Sequence, residues 1–190
     1  MKRSLFTVVA ILVGMSAPVL ADDNNKSEID QVGTNSTATV EQGGSGTTND
    51  SFVKQDGGDS NTVAVKEKGT SNHNHSDVFQ FGGGETTIVN QKGDSNSNDS
   101  ILTQAGFNNS ADIEQGGDGN INGSLIHIEA GTDNIIDVDQ HGSNNANDSF
   151  ISTFSHDSSV TVAQFGSDNI NQSSVTTGPL GGNTASVIQH

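Results

Sequence analysis

Six histidines and 23 acidic side chains are the groups through which this 190-residue chain could hold a metal ion or move a proton. The histidines are scattered. The one close pair, His73 and His75 in "HNH", falls in a stretch that reads as a turn, and two imidazoles without a third ligand mark a solvated loop more often than a metal centre. No serine, histidine and acid arrangement recurs on a scaffold that would align it, so no catalytic residue is assigned and no enzyme activity is expected. "GGDGN" at 116–120 is similar to a calcium β-roll turn but does not recur every nine residues. Surface carboxylates offer weak calcium binding at most, and neither a metal site nor a cofactor is expected. The absence of cysteine excludes thiol catalysis, thiolate metal sites and disulfides.

The chemistry that does recur is that of the carboxamide. "ATVEQGG" at 38–44, "TIVNQKG" at 87–93, "ADIEQGG" at 111–117 and "VTVAQFG" at 160–166 alternate small or apolar residues with spacers, then place a glutamine where the alternation calls for a buried residue. A glutamine has two donor hydrogens and an acceptor oxygen. Copies stacked in register bond one another and escape the cost of roughly 1–3 kcal/mol that an unsatisfied buried polar group carries.

The serines set the register of the units that must carry these amides. Units open at Ser27, Ser51, Ser76, Ser100, Ser124, Ser149 and Ser174, at spacings of 24 or 25 residues, giving segments 27–50, 51–75, 76–99, 100–123, 124–148, 149–173 and 174–190 after a short leader at 22–26. Each opens as Ser-x-φ-x-Gln, with φ at Ile29, Val53, Val78, Leu102, Ile126, Ile151 and Thr176. The glutamine stands at Gln31, Gln55, Gln80 and Gln104 and then gives way to Ile128, Thr153 and Gly178. In the second half-unit the apolar residue is Val40, Val65, Val89, Ile113, Val138, Val162 and Val187. The glutamine there is Gln42, Gln91, Gln115, Gln140, Gln164 and Gln189, with Glu67 in its place once.

Period-two alternation with β-branched residues on one face predicts a strand for each half-unit. Turns are expected around Gly33, Asn35, Gly57, Asn61, Gly82, Gly106, Gly131, Asn134 and Asn183, because glycine and asparagine tolerate left-handed backbone. The Asn-x-Ser/Thr sites at Asn35, Asn49, Asn74, Asn98, Asn108, Asn122, Asn147 and Asn171 are read as the same turn chemistry. A unit of this size cannot bury its single apolar row alone, but stacked copies can. The predicted fold is therefore all-β: a parallel β-solenoid with two strands per coil, a cross-β stack of seven repeats.

Only 29% of residues are hydrophobic and 4% aromatic, which excludes an ordinary globular core and would suggest disorder if the apolar residues were not periodic. Lys2 and Arg3 before an apolar run, followed by "PVLA", read as a secretory signal at 1–21. Its removal takes the formal charge from −16 to −18, which disfavours nucleic acid as a partner. No cap is expected at either end of the stack, so each end can receive another copy and each subunit would add roughly 33 Å to a fibre. Outward acids at Asp30, Glu41, Glu114, Asp137 and Asp139 are expected to face one another along the stack and slow association.

"SEIDQVGTNSTATVEQ" and "SILTQAGFNNSADIEQ" resemble the curlin repeat of bacterial curli, over residues 27 to 190. The resemblance implies a secreted structural subunit of a Gram-negative bacterium that self-assembles into an extracellular functional amyloid, a fimbrium serving adhesion, aggregation and biofilm matrix. It implies a homopolymer whose partners are a nucleator subunit and the outer-membrane curli secretion channel with its chaperones. The acidic chain without a basic, divergent last repeat is more like the polymerising major subunit than the minor nucleator. A solenoid adhesin that does not polymerise is the alternative outside that family. The units are somewhat longer than the commonest family repeat and the leader is shorter than the family's channel-recognised segment.

Overall fold

The computed structural model describes residues 24–190, and the expected signal at 1–21 lies outside them. In chain order the strands are β1 (Asn24–Thr34), β2 (Thr37–Ser45), β3 (Thr48–Asp59), β4 (Thr62–Thr70), β5 (His73–Gly83), β6 (Thr86–Asp94) and β7 (Ser97–Phe107). They continue as β8 (Ser110–Asp118), β9 (Ile121–Thr132), β10 (Ile135–Ser143), β11 (Ala146–Thr153), β12 (Ser159–Gln164), β13 (Ile170–Thr177) and β14 (Thr184–Gln189). Odd-numbered strands form one seven-stranded sheet in the order β1-β3-β5-β7-β9-β11-β13, and even-numbered strands form the other, β2 to β14. Every pairing is parallel, so the chain is a seven-coil solenoid with two strands per coil. The first strand takes in Asn24, Asn25 and Lys26, which the sequence assigns to a leader.

Register follows residue identity. Ile29, Val53, Val78, Leu102, Ile126 and Ile151 form one column, and Val40, Val65, Val89, Ile113, Val138, Val162 and Val187 another. These two columns and the Ala38-to-Ala185 column beside the second make up a thin apolar core. A one-residue slip would turn every inward side chain to solvent, which is why a single aliphatic column suffices to hold register.

The last coil departs from its expected register. Ser173, not Ser174, pairs with Ser149, so the inward residues are Ser173, Val175 and Thr177 in place of Ser174, Thr176 and Gly178. Valine decides it, because this register buries Val175 and leaves Ser174 exposed. The alternation of 24- and 25-residue spacings also has a cause. The serine columns of coils two and five are followed by one extra residue, as Val32 and Thr34 pair with Asp56 and Asp59, and Gln104 and Gly106 pair with Ile128 and Gly131. Each is a β-bulge absorbed at the end of the strand. Gly57 is part of the first bulge, and it is Gly58 that takes the place in the glycine column with Gly33, Gly82, Gly106 and Gly131.

Every connection turns on one residue in the left-handed region, with φ between 54° and 74°. Asn35, Ser60, Gly84, Asn108, Asp133, Asp157 and Gly182 serve the turns after the first strands, and Gly46, Ser71, Ser95, Gly119, Asn144 and Asp168 those after the second. The residue that follows points inward. Asn61 and Asn134, expected as turn residues for their tolerance of left-handed backbone, each follow the left-handed residue and are fully buried, and Asn183 continues their column.

Candidate functional site

The glutamines point inward beside the valine columns and hydrogen-bond along the stack. In the first sheet Gln31 Nε2 donates to Gln55 Oε1 at 2.6 Å, Gln55 to Gln80 at 2.9 Å and Gln80 to Gln104 at 3.0 Å. Ile128 ends that ladder. In the second sheet Gln91 donates to Gln115 at 2.9 Å, Gln115 to Gln140 at 2.9 Å, Gln140 to Gln164 at 2.7 Å and Gln164 to Gln189 at 2.7 Å. The second amide hydrogen crosses the core to a backbone carbonyl, as from Gln80 to Thr62 O and from Gln115 to Asp99 O. Both donors of the amides inside the ladders are thereby used, and the carbonyl contact fixes which way the amide faces. Every glutamine-to-glutamine bond is donated toward the carboxyl-terminal coil.

A third ladder escaped sequence reading. Asn25, Asn49, Asn74, Asn98, Asn122, Asn147 and Asn171 lie within strands, two residues before each column serine, and the inner five are almost wholly buried. Nδ2 of each donates to Oδ1 of the preceding one at 2.8–3.0 Å, so these amides point toward the amino-terminal coil. Six of the Asn-x-Ser/Thr sites are therefore core positions and not turns. Two further columns line the turns. Asn72, Asn96, Asn120 and Asn145 each accept the backbone N–H of the next coil's equivalent residue and donate to a glycine carbonyl of that coil. Asn61, Asn109 and Asn134 do the same on the other side, with Ser155 O replacing the glycine carbonyl for Asn134.

Two carboxyls interrupt these ladders. Glu67 replaces glutamine between Gln42 and Gln91 and is fully buried. Gln42 Nε2 donates to its Oε2 at 2.8 Å. Its Oε1 and the Oε1 of Gln91 above it are both enclosed without a hydrogen-bond partner. Burial pushes this carboxyl up to about 7, against the smaller lowering effect of Gln42 and Ser76. Glu85 replaces asparagine between Asn61 and Asn109, is also fully buried, and is likewise raised to about 7 by burial. A protonated Glu67 supplies the donor that Gln91 Oε1 lacks, so the neutral acid is the form that fits the column.

The outward faces differ from expectation in charge pairing. Asp30 lies opposite Lys54 and Glu41 opposite Lys66, with Lys68 also paired to Glu41. Asp137 and Asp139, in contrast, lie opposite Asp112 and Glu114. His73 and His75 are in β5 and not in a turn, with His75 Nε2 3.4 Å from Asp77. Glu114, Asp139 and His141 bring their ligand atoms within 4.8 Å of one another.

The two apolar columns, the second-sheet amide column and the strand asparagine ladder extend to the first and last described coils, where Ile29 is 40% exposed although Val53 and Val78 of the same column are 0% exposed. No protein-family model, curated protein or solved structure matches this chain.

Proposed function

We propose that this chain is a secreted, curli-like fibre subunit that adds end to end through its terminal coils. The observation that carries the reading is the state of those ends. Among the described residues β1 and β2 have a neighbour on one side only, as do β13 and β14, and all four present open backbone groups in the same parallel sense. The second-sheet glutamine ladder finishes at Gln189, whose amide retains a hydrogen for a further acceptor, while Gln42 stands at the other end of the same column. A second copy in the same orientation continues the second-sheet and asparagine columns like on like, Val187 on Val40, Gln189 on Gln42 and Asn171 on Asn25, and sets Val175 on Ile29. Burial of the exposed apolar residues and satisfaction of the edge groups both favour that joint. Adhesion and biofilm matrix are the roles that the resemblance to the curlin repeat implies for such a fibre.

The test is growth. Residues 22–190, diluted from denaturant, should show a lag and then rising thioflavin fluorescence, with fibre reflections near 4.8 and 10 Å. Preformed fibres should abolish the lag, as expected of the polymerising subunit. A stable β-rich monomer that does not grow would refute the fibre and leave a solenoid adhesin.

A further inference from the structure

The outward face of the second sheet carries an uncompensated charge at its centre. In-register pairing sets Asp112 against Asp137 and Glu114 against Asp139, two like-charged cross-strand pairs on adjacent strands β8 and β10. Such pairs destabilise a sheet. Burial, followed by the neighbouring carboxylates, raises the proton affinity of Asp112. Asp139 is raised too, mainly by burial and against the pull of His141. One ammonium answers the four carboxylates from β6: Lys92 pairs with Glu114.

An imidazole completes the cluster. His141 follows Asp139 by two residues on β10 and so shares its face of the sheet. Its Nε2 lies 2.7 Å from Asp139 Oδ1 and 3.9 Å from Glu114 Oε1. The ring is within 8° of parallel to that of Phe165 in the next coil, which orients the imidazole. Asp139 Oδ1 is enclosed and has no well-formed hydrogen bond even with the imidazole so near. All three side chains are half-buried, so a small ion reaches them from solvent.

We propose that Glu114, Asp139 and His141 form a binding site for a divalent transition-metal ion, of which Zn²⁺ is the probe. Imidazole nitrogen and carboxylate oxygens bind zinc at about 2.0–2.2 Å, which for a tetrahedral ion sets neighbouring ligand atoms about 3.3 Å apart. The separations of 2.7 and 3.9 Å bracket that value, and small rotations of the half-buried side chains close the difference. Neutral His141 binds through Nε2 and keeps its proton on Nδ1. Water fills the fourth position. Asp112 and Asp137 add negative charge behind the ligands, and the ion relieves the repulsion that Lys92 answers only in part. Calcium fits poorly, because it takes six to eight oxygen ligands and this set offers an imidazole and two carboxylates.

Calorimetric titration of the full chain with Zn²⁺ at pH 7.5, with β-sheet content checked by circular dichroism, tests the site. One ion per chain is expected at micromolar affinity, weakened about tenfold or more in both His141→Gln and Asp139→Asn. Lys92→Gln should bind several times more tightly, because it removes the competing cation. His75→Gln, on the opposite sheet, should leave the affinity unchanged. Absence of one-to-one binding, or affinity indifferent to both His141→Gln and Asp139→Asn, overturns the proposal.

Discussion

Replacing Glu67 by glutamine should stabilise the solenoid, and by an amount that depends on pH. In the folded chain the carboxyl holds its proton up to about pH 7, against 4.5 for an ordinary glutamate. A group that binds its proton more tightly when folded contributes stability below the lower value, loses it as pH rises between the two, and costs a constant amount above the higher one. The interval from 4.5 to about 7 corresponds to roughly 3 kcal/mol, of which about 2–3 kcal/mol falls between pH 5 and pH 8. Glu85, raised to the same value, adds a similar loss over the same window. Asp112 and Asp139 contribute smaller slopes of the same sign from partly exposed positions. Glu67→Gln removes its share of the loss and keeps a donor on Gln91 Oε1 where the carboxylate has none, so its gain over wild type is small at pH 5 and largest at pH 8. Urea unfolding followed by circular dichroism at pH 5, 6, 7 and 8 measures the effect. Wild type should weaken steadily across the series, Glu67→Gln about half as steeply, and the double variant with Glu85→Gln least of all. Equal pH slopes for wild type and Glu67→Gln would refute the assignment of a neutral buried acid.

Asn98→Ala should cost about 2–5 kcal/mol, because it strips a partner from both Asn74 Oδ1 and Asn122 Nδ2 inside the stack. Asn108→Ala, at a φ of 56° in a turn, should cost only about 1–2 kcal/mol, and denaturation midpoints distinguish the two asparagine roles. Gly93→Ala should abolish cooperative folding in the same assay, since its Cβ would lie 1.9 Å from the Gly117 carbonyl oxygen at a φ of 126°.

Strands, coil count and the glutamine ladders were legible because each column repeats one residue type at a period the eye can follow. Asparagine was not, because two opposite uses leave the same mark. In Asn108–Asn109 and Asn144–Asn145 the first residue takes the left-handed turn and the second is buried in a ladder. Local turn preference explains the first of each pair and says nothing of the second. The strand asparagines were hidden by the same preference, although Asn171 standing two before Ser173 carries the signal that would have corrected the last unit's register. The Glu114, Asp139 and His141 cluster was missed for a different reason. Its members are not all neighbours in sequence: the stack sets residues 25 positions apart opposite one another, as Glu114 is to Asp139.

The glutamine and asparagine ladders point in opposite directions, and that opposition labels the two ends. One end shows a glutamine amide hydrogen beside an asparagine oxygen, and the other shows the reverse. Two copies meeting the same way round therefore fit as plug and socket at two sites at once, while a copy arriving upside down sets hydrogen against hydrogen and oxygen against oxygen. A single ladder would enforce the same rule, but it would also sum its amide dipoles along the whole stack. Running two in opposition keeps the arrow of assembly without the accumulating polarisation.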